Sequence, residues 1–463
     1  MQETKEKNLS GVLAEFLWDL RYEDIPKETV SYTKLLLLDY FASSAAGYKV
    51  NAKTNAAIHE VVKNLGGTEQ GFVLFDKTMY PAPHAAFINA AYTHGADMDD
   101  GHRVMGGHPG GPVISAVLAT AGTLDNVSGK EILTAIVCGY EAMIRIGAAV
   151  QPDHVGRGFH STGTTGSIGA AVASAKLIAG NYHEFFNAMS LSTVQASGLM
   201  SVTESAQSAK PLNAARAAYT GMLCALFAVN GIAAPDDPLE SPKGFFHAFG
   251  DNIRREAITD ELGKRFEICG CYIKPYPTCR ATHPGAEAMI ALRDQIKNSR
   301  QIREIRLNIY PRAIFIAGDR KNHIPDEPER CKFSLAYAIA CAYHNGNIRV
   351  EEDIIQFSTE KAKDVLETCA KVKLVEDPST EDVLHGKRGC RLEVELLNGE
   401  VLEKTVIIPK GDPEVPMTFE DCRAKLDACS TDILSDEQRN WLYHSILTLD
   451  EEEQYQDLIA PLH

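Results

Sequence analysis

Five segments of this chain, 83–98, 111–124, 129–150, 163–180 and 211–230, are rich in alanine and other small residues at close spacing. Alanine has the most favourable helix propensity, and small side chains let helix backbones approach one another closely. No periodic alternation of strand and helix interrupts these segments, so the first two-thirds of the chain is expected to form a compact all-α core rather than a parallel sheet. Val12, Phe16, Leu17 and Leu20 fall at helical spacing with polar residues between them. Pro26 heads a second helix running through Leu35 to Phe41, whose nearly continuous leucines predict burial on most sides.

The pattern changes near Cys269. A helix is expected over about 284–296, an alternating strand over Ile302–Ile309 (IREIRLNI), and a helix over 332–344. Residues 391–408 read as two strands around Asn398-Gly399, a hairpin signal. From Thr418 to Leu447 the pattern is helical again. The predicted fold class is therefore mainly α. A large helical domain is built from both chain ends (1–269 and 411–463), with a smaller α+β domain inserted at 270–410.

A formal net charge of −16 argues against nucleic-acid binding, because a phosphate backbone would be repelled. An anionic substrate would need a local cluster of Lys, Arg and His in the site itself. The polar start, MQETKEKNLS, lacks the apolar stretch of a secretory signal, and no run of 18 or more apolar residues predicts a membrane span. Eleven scattered cysteines, an odd number, read as reduced thiols, and a cytoplasmic location is expected.

The densest constellation is HGADMDDGHRVMGGHPGGPV, residues 94–113, with Asp97, Asp99, Asp100, His94, His102, His108, Arg103 and six glycines. Glycine is costly inside a helix, so this is expected to be a loop where backbone can approach a ligand. Carboxylates and imidazoles together suit proton transfer, since their pKa values can be tuned toward neutrality. A solvated acidic loop, or Asp99 and Asp100 as plain helix caps, is the bland alternative, and a divalent metal is the rival, although the spacing matches no familiar ligand pattern.

Residues 156–171, GRGFHSTGTTGSIGAA, place His160 before a helix start whose N–H groups, with hydroxyls such as that of Thr164, suit a carboxylate. Simple capping is the alternative. In SAKPLNAARAA (208–218), Lys210 precedes Pro211, which would open the next helix. In CGCYIKPYPTCRATHPGAEA (269–288), Lys274, Arg280 and His283 supply cationic groups at the proposed domain junction. Cys269, Cys271 and Cys279 there lack a clear fourth ligand for a cluster. No dinucleotide fingerprint follows a strand, and neither a Walker motif nor a GxSxG elbow is present.

Taken in order, LLLLDYFASSAAG (35–47), FINAAYTHGADMDDGH (87–102), GHPGGPV (107–113), FHSTGTTGSIGAA (159–171), KPLNAARAA (210–218), LESPKGFF (239–246) and IKPYPTCRATHP (273–284) resemble the MmgE/PrpD family over nearly the whole chain. The resemblance implies an inserted domain acting as a lid, a homodimer, and no cofactor or required metal. It also implies chemistry at a carbon beside a carboxylate of a small di- or tricarboxylate: dehydration of 2-methylcitrate, decarboxylation of cis-aconitate or epimerisation of iminodisuccinate. Carried over residue by residue, Asp97, His108, His160, Lys210 and Lys274 are the candidate catalytic residues. The histidines handle protons, the lysines clamp carboxylates and Asp97 orients a neighbour. His102, Arg103, Thr164, Arg280 and His283 are the candidate substrate-binding residues.

The chain departs from the family pattern of tricarboxylate enzymes at Met98 and Gly101, where Phe and Thr are usual. It departs from the decarboxylase pattern at Cys279 and Ile314-Phe315, where His and Tyr are usual. A dehydratase-type lyase is therefore the leading expectation, with an epimerase or a decarboxylase behind it.

Overall fold

A computed structural model describes residues 8–203, 208–382, 387–452 and 454. The fold is mainly α with small sheets, and the chain divides into two compact units.

The first unit takes in the chain up to Gly95, Asp99–Cys271 and the chain from Thr418 onward. Its core helices are α1 (Lys27–Val50), α2 (Ala82–Gly95), α3 (Gly110–Ala121), α4 (Gly129–Ala149), α5 (Ser161–Ile178) and α6 (Pro211–Val229). Helix α5 packs on α3, α4 and α6, while α2 packs on α1, α3 and α6. Every residue from Leu35 to Phe41 is buried, as the unbroken leucines predict.

The small residues permit the close crossings. A Cβ at Gly47 of α1 would lie 1.8 Å from the Tyr92 carbonyl oxygen of α2, and one at Gly221 of α6 would lie 2.5 Å from the Ser167 carbonyl of α5. Either substitution would force the helices apart. The helix Phe419–Ser430 returns to α1, where the buried Lys425 ammonium donates to Asp39 Oδ1 (2.5 Å) and Ser43 Oγ (3.1 Å). Helices α4 and α6 are long and apolar enough to cross a bilayer, but the apolar stretch of α4 is wholly buried within protein and that of α6 half buried. In α4 that composition serves the core.

The second unit comprises Ala96–Met98 and Tyr272–Met417. Its sheet contains β1 (Ile302–Ile309), β2 (Val372–Glu376), β3 (Cys390–Leu396) and β4 (Val401–Val406) in the order β2-β1-β3-β4. Strand β1 runs parallel to β2 (Ile305 opposite Val372) and antiparallel to β3 (Ile305 opposite Val394). The β3–β4 hairpin turns at Gly399, whose φ of 86° suits glycine. Helix α7 (His283–Leu292) packs on β3, β4 and α8 (Leu335–Asn345). Helix α8 starts at Leu335 because Ser334 Oγ accepts from the Tyr337 N–H, and it ends at Gly346 in the left-handed region. The parallel strand β2 is not among the elements read from the sequence: it is five residues long and only Val372 of them is buried.

Candidate active site

In the helical unit, His94 sits in the last turn of α2, and the chain re-enters at Asp99 and turns tightly over 102–107. The His102 N–H donates to the Gly107 carbonyl (2.9 Å) and the Gly106 N–H to the His102 carbonyl (2.8 Å). This turn carries the loop to the start of α3. Asp100 fixes that start. Its Oδ1 accepts from the Gly110 N–H (2.9 Å) and its Oδ2 from the Tyr140 hydroxyl of α4 (3.0 Å). Burial pushes the Asp100 carboxyl up to about 8, helped by the neighbouring charges of Asp99 and Asp39. The capping alternative therefore holds for Asp100: it anchors a helix N-terminus.

Asp99 has a different task. The buried His94 donates from Nδ1 to Asp99 Oδ2 (2.8 Å), and Asp99 Oδ1 lies 3.7 Å from His108 Nδ1. His108 donates from Nδ1 to the Asp100 backbone carbonyl (2.7 Å), and its backbone N–H donates to Thr162 Oγ1 of α5 (3.0 Å). A carbonyl can only accept, so Nδ1 of His108 carries a proton, which in the neutral ring leaves the lone pair on Nε2. The His108 side chain is 14% exposed, whereas His94 is sealed.

His160 stands at the N-terminus of α5, where its carbonyl accepts from the Gly163 and Thr164 N–H groups. The His94 ring lies 5.0 Å from that of His108 and 5.9 Å from that of His160, measured between centroids. From α6, Asn213 Nδ2 lies 3.0 Å from His160 Nδ1, and Lys210, one residue before the helix, is buried.

Beneath the first turn of α5, His154 Nε2 meets the Thr164 hydroxyl (2.9 Å), and its Nδ1 meets the Ser161 hydroxyl (3.4 Å). Burial pulls His154 down to about 4, so it is neutral at physiological pH. Thr164 is thus committed to an inner histidine. His102 packs its ring against Gly270, where an added Cβ would lie 2.7 Å from Nε2, and Arg103 is half-buried in the turn.

In the α+β unit, Lys274 and Asp97 meet. The buried ammonium donates to the Asp97 carbonyl (2.7 Å) and lies 3.5 Å from Asp97 Oδ1. Asp97 has φ of 53°, a left-handed conformation that Asp tolerates better than most side chains. Arg280 forms an ion pair with Asp412 (2.8 Å), donates to the Pro409 carbonyl (3.1 Å) and donates from Nη1 to His283 Nδ1 (3.0 Å). Burial, then the charges of Arg280 and Lys274, hold His283 well below the usual histidine range.

The candidates thus collect into His94–Asp99–His108–His160 in the first unit, where Lys210 immediately precedes α6, and into Asp97–Lys274 and Arg280–His283 in the second. Sequence reading passes over His154, Tyr140 and Asn213. Only Asn213 carries a signal, one helical turn beyond Lys210. His94, Asp99 and His108 also bring potential metal-donor atoms within 4.8 Å of one another. The His94–Asp99 and His108–Asp100 hydrogen bonds account for that closeness without an ion.

A family model for the MmgE/PrpD N-terminal domain matches residues 11–256, and one for the MmgE/PrpD C-terminal domain matches residues 276–449. The chain belongs to the MmgE/PrpD family. The N-terminal match encloses the whole histidine cluster and Lys210. Among MmgE/PrpD relatives, the "Cis-aconitate decarboxylase-like protein oryM" of Aspergillus oryzae is 26% identical over 99% of this chain and 98% of its own length. A "Cis-aconitate decarboxylase" of Aspergillus terreus is 25% identical over 95% of this chain and 94% of its own length. The Homo sapiens protein of that name is 22% identical over 93% and 89%.

Proposed function

We propose that this chain is a cofactor-independent lyase of a small polycarboxylate, dehydrating a 2-methylcitrate-like hydroxy acid. The observation that carries the reading is the set of bonds around His108. Its Nδ1 proton is tied to the Asp100 carbonyl, its Nε2 holds the lone pair, and Asp99 lies close enough to stabilise an imidazolium. In this reading Nε2 takes the proton from the carbon beside a carboxylate. The C–H pair becomes the new C=C bond, the C–O bond breaks, and the proton now on Nε2 passes to the departing hydroxyl as water. His108 ends neutral, as it began. Lys210 is assigned to a substrate carboxylate, where an ammonium offsets the charge that develops as the proton leaves. In the second unit, Lys274 is assigned to holding the Asp97 turn.

A second reading, decarboxylation of a cis-aconitate-like substrate, is favoured by the names of the relatives. Against it stand Cys279 and Ile314-Phe315, where the decarboxylase pattern has His and Tyr. Proton NMR in D2O of the protein with 2-methylcitrate, citrate, cis-aconitate and iminodisuccinate separates the readings. New vinyl signals from a hydroxy acid support the dehydratase, and itaconate signals from cis-aconitate support the decarboxylase. C–H exchange without elimination points to an epimerase. Unchanged spectra across the panel would defeat the substrate class.

A homodimer belongs to the same proposal. It is supported by an apolar hollow on the helical unit lined by Val61, Leu65, Phe87, Leu212 and Tyr219, in which Val61 is 61% and Leu65 66% exposed. Light scattering at monomer mass would contradict it.

A further inference from the structure

His108 and His160 are both candidate proton-handling groups, yet their hydrogen bonds prepare them for opposite tasks. The Nδ1 of His108 faces a carbonyl, which demands a proton there. The Nδ1 of His160 faces Asn213 Nδ2 at 3.0 Å. That atom of Asn213 is also 3.3 Å from the Leu199 carbonyl oxygen, which only a donor can satisfy, so the amide is oriented with its NH2 toward both groups. One amide hydrogen goes to Leu199 and the other to His160. The Nδ1 of His160 must then be the lone-pair nitrogen, and the ring's single proton resides on Nε2.

The frame holding this arrangement is backbone. The His160 N–H donates to the Gly198 carbonyl (3.0 Å) and the Met200 N–H to the Gly158 carbonyl (2.8 Å), which lashes the Leu199 segment beside His160. Asn213 itself sits in the first turn of α6, started by Pro211.

We infer that Asn213 is a positioning residue that locks His160 as a neutral Nε2–H donor, so that His160 polarises the substrate by hydrogen bonding while His108 alone transfers the proton. A second proton at Nδ1 would point at the amide NH2 and lose its acceptor, so the imidazolium form is disfavoured. A neutral imidazole that gave up its only N–H would become an imidazolate, far too costly near neutral pH. An Nε2–H donor of this kind suits an oxygen on which charge accumulates, such as the carboxylate beside the carbanion-like centre. This assignment builds on the lyase reading above and divides the labour between its two histidines.

The decisive experiment needs no substrate. Imidazole 15N–1H correlation spectra of the full chain at pH 7, with the His160 signals identified by their loss in His160→Gln, read the tautomer directly. The expected result is a pyrrole-type Nε2 and an imine-type Nδ1 for His160, and the reverse for His108. A His160 ring protonated on Nδ1, alone or with Nε2, would overturn the inference whatever the enzyme's substrate proves to be.

Two variants extend the test. Asn213→Asp replaces the amide donor with an acceptor and should turn His160 into an imidazolium, with both nitrogens pyrrole-type. Asn213→Leu should mix the tautomers and, on the substrate found in the NMR panel, lower kcat about tenfold with KM nearly unchanged. If both variants kept the wild-type nitrogen signature, Asn213 would not be the lock. Failure of the substrate panel alone would defeat the substrate class of the lyase reading and leave the tautomer assignment standing.

Discussion

His160 in the helical unit and His283 in the α+β unit are both buried, and each accepts a hydrogen bond at Nδ1, but the donors differ in kind. His283 receives a guanidinium N–H from Arg280 and donates from Nε2 to the Thr278 carbonyl (3.2 Å), so both ring nitrogens are committed within the protein. A permanent cation beside it makes a second proton doubly unfavourable. His160 receives a neutral amide N–H and lies in a row of histidines that ends on the partly exposed His108. Burial and a depressed proton affinity therefore do not by themselves mark a reactive histidine. What separates these histidines is whether both ring nitrogens are bonded to sealed protein groups, as at His283 and His154, or the ring lies in a row with a partly exposed member, as His160 does with His108.

The largest expected effect falls on that exposed member. His108→Gln should lower turnover by about 10²–10⁴-fold, the range for losing a general acid–base group, with an unchanged far-UV spectrum and melt. His283→Gln, by contrast, should act on stability first. Comparable loss of turnover in two equally stable variants would erase the distinction drawn between the regions.

Next comes the ion pair that supports His283. Asp412 is 1% exposed and pairs with a nearly buried Arg280. Asp412→Ala leaves that guanidinium buried without its carboxylate and should cost about 3–5 kcal/mol of unfolding free energy in urea titration. A change under about 1 kcal/mol would mean that the Pro409 carbonyl and His283 suffice to hold the charge.

Lys210→Ala should reduce kcat/KM roughly 10²-fold or more while the fold stays intact, if the ammonium meets a charge that grows in the transition state. Full activity in this variant would remove Lys210 from the mechanism.

How much of this arrangement was readable beforehand follows from the range of the interactions. The buried run Leu35–Phe41, the strand Ile302–Ile309 and the hairpin at Asn398-Gly399 announce themselves because each is specified by residues within a few positions. The Gly-rich loop and its histidines are visible for the same reason. The distinct fates of Asp99 and Asp100 are not, since adjacent acids in a loop look alike until Tyr140, 40 residues on, binds one of them. The bond from Asn213 to His160 spans 53 positions, and the His154–Thr164 bond depends on how the chain re-enters α5. Such pairings are made by helix packing, which a residue pattern implies only in general.

The smallest effect at acidic pH, and the sharpest test of the two neighbouring acids, is expected from Asp100→Asn. In the folded chain the Asp100 carboxyl ionises near 8, whereas in the unfolded chain it ionises near the ordinary 3.8. Between those values the folded state holds a proton that the unfolded state has lost. Asp100 therefore contributes stability that is complete below about pH 4 and is lost as pH rises toward 8. An asparagine keeps an oxygen for the Gly110 N–H and presents an NH2 to Tyr140, whose hydroxyl can accept, so below about pH 4, where the acid is neutral in both states, stability should change by less than about 1 kcal/mol, and near pH 7 the variant should be the more stable protein. The slope of stability against pH should nevertheless become shallower between pH 4 and 8. It should not vanish, because burial also raises Glu141, to about 7, and that residue remains. Urea unfolding at intervals across this range would show it. An unchanged slope would mean that Asp100 is already ionised in the folded protein, with Asp99 and Asp100 charged side by side.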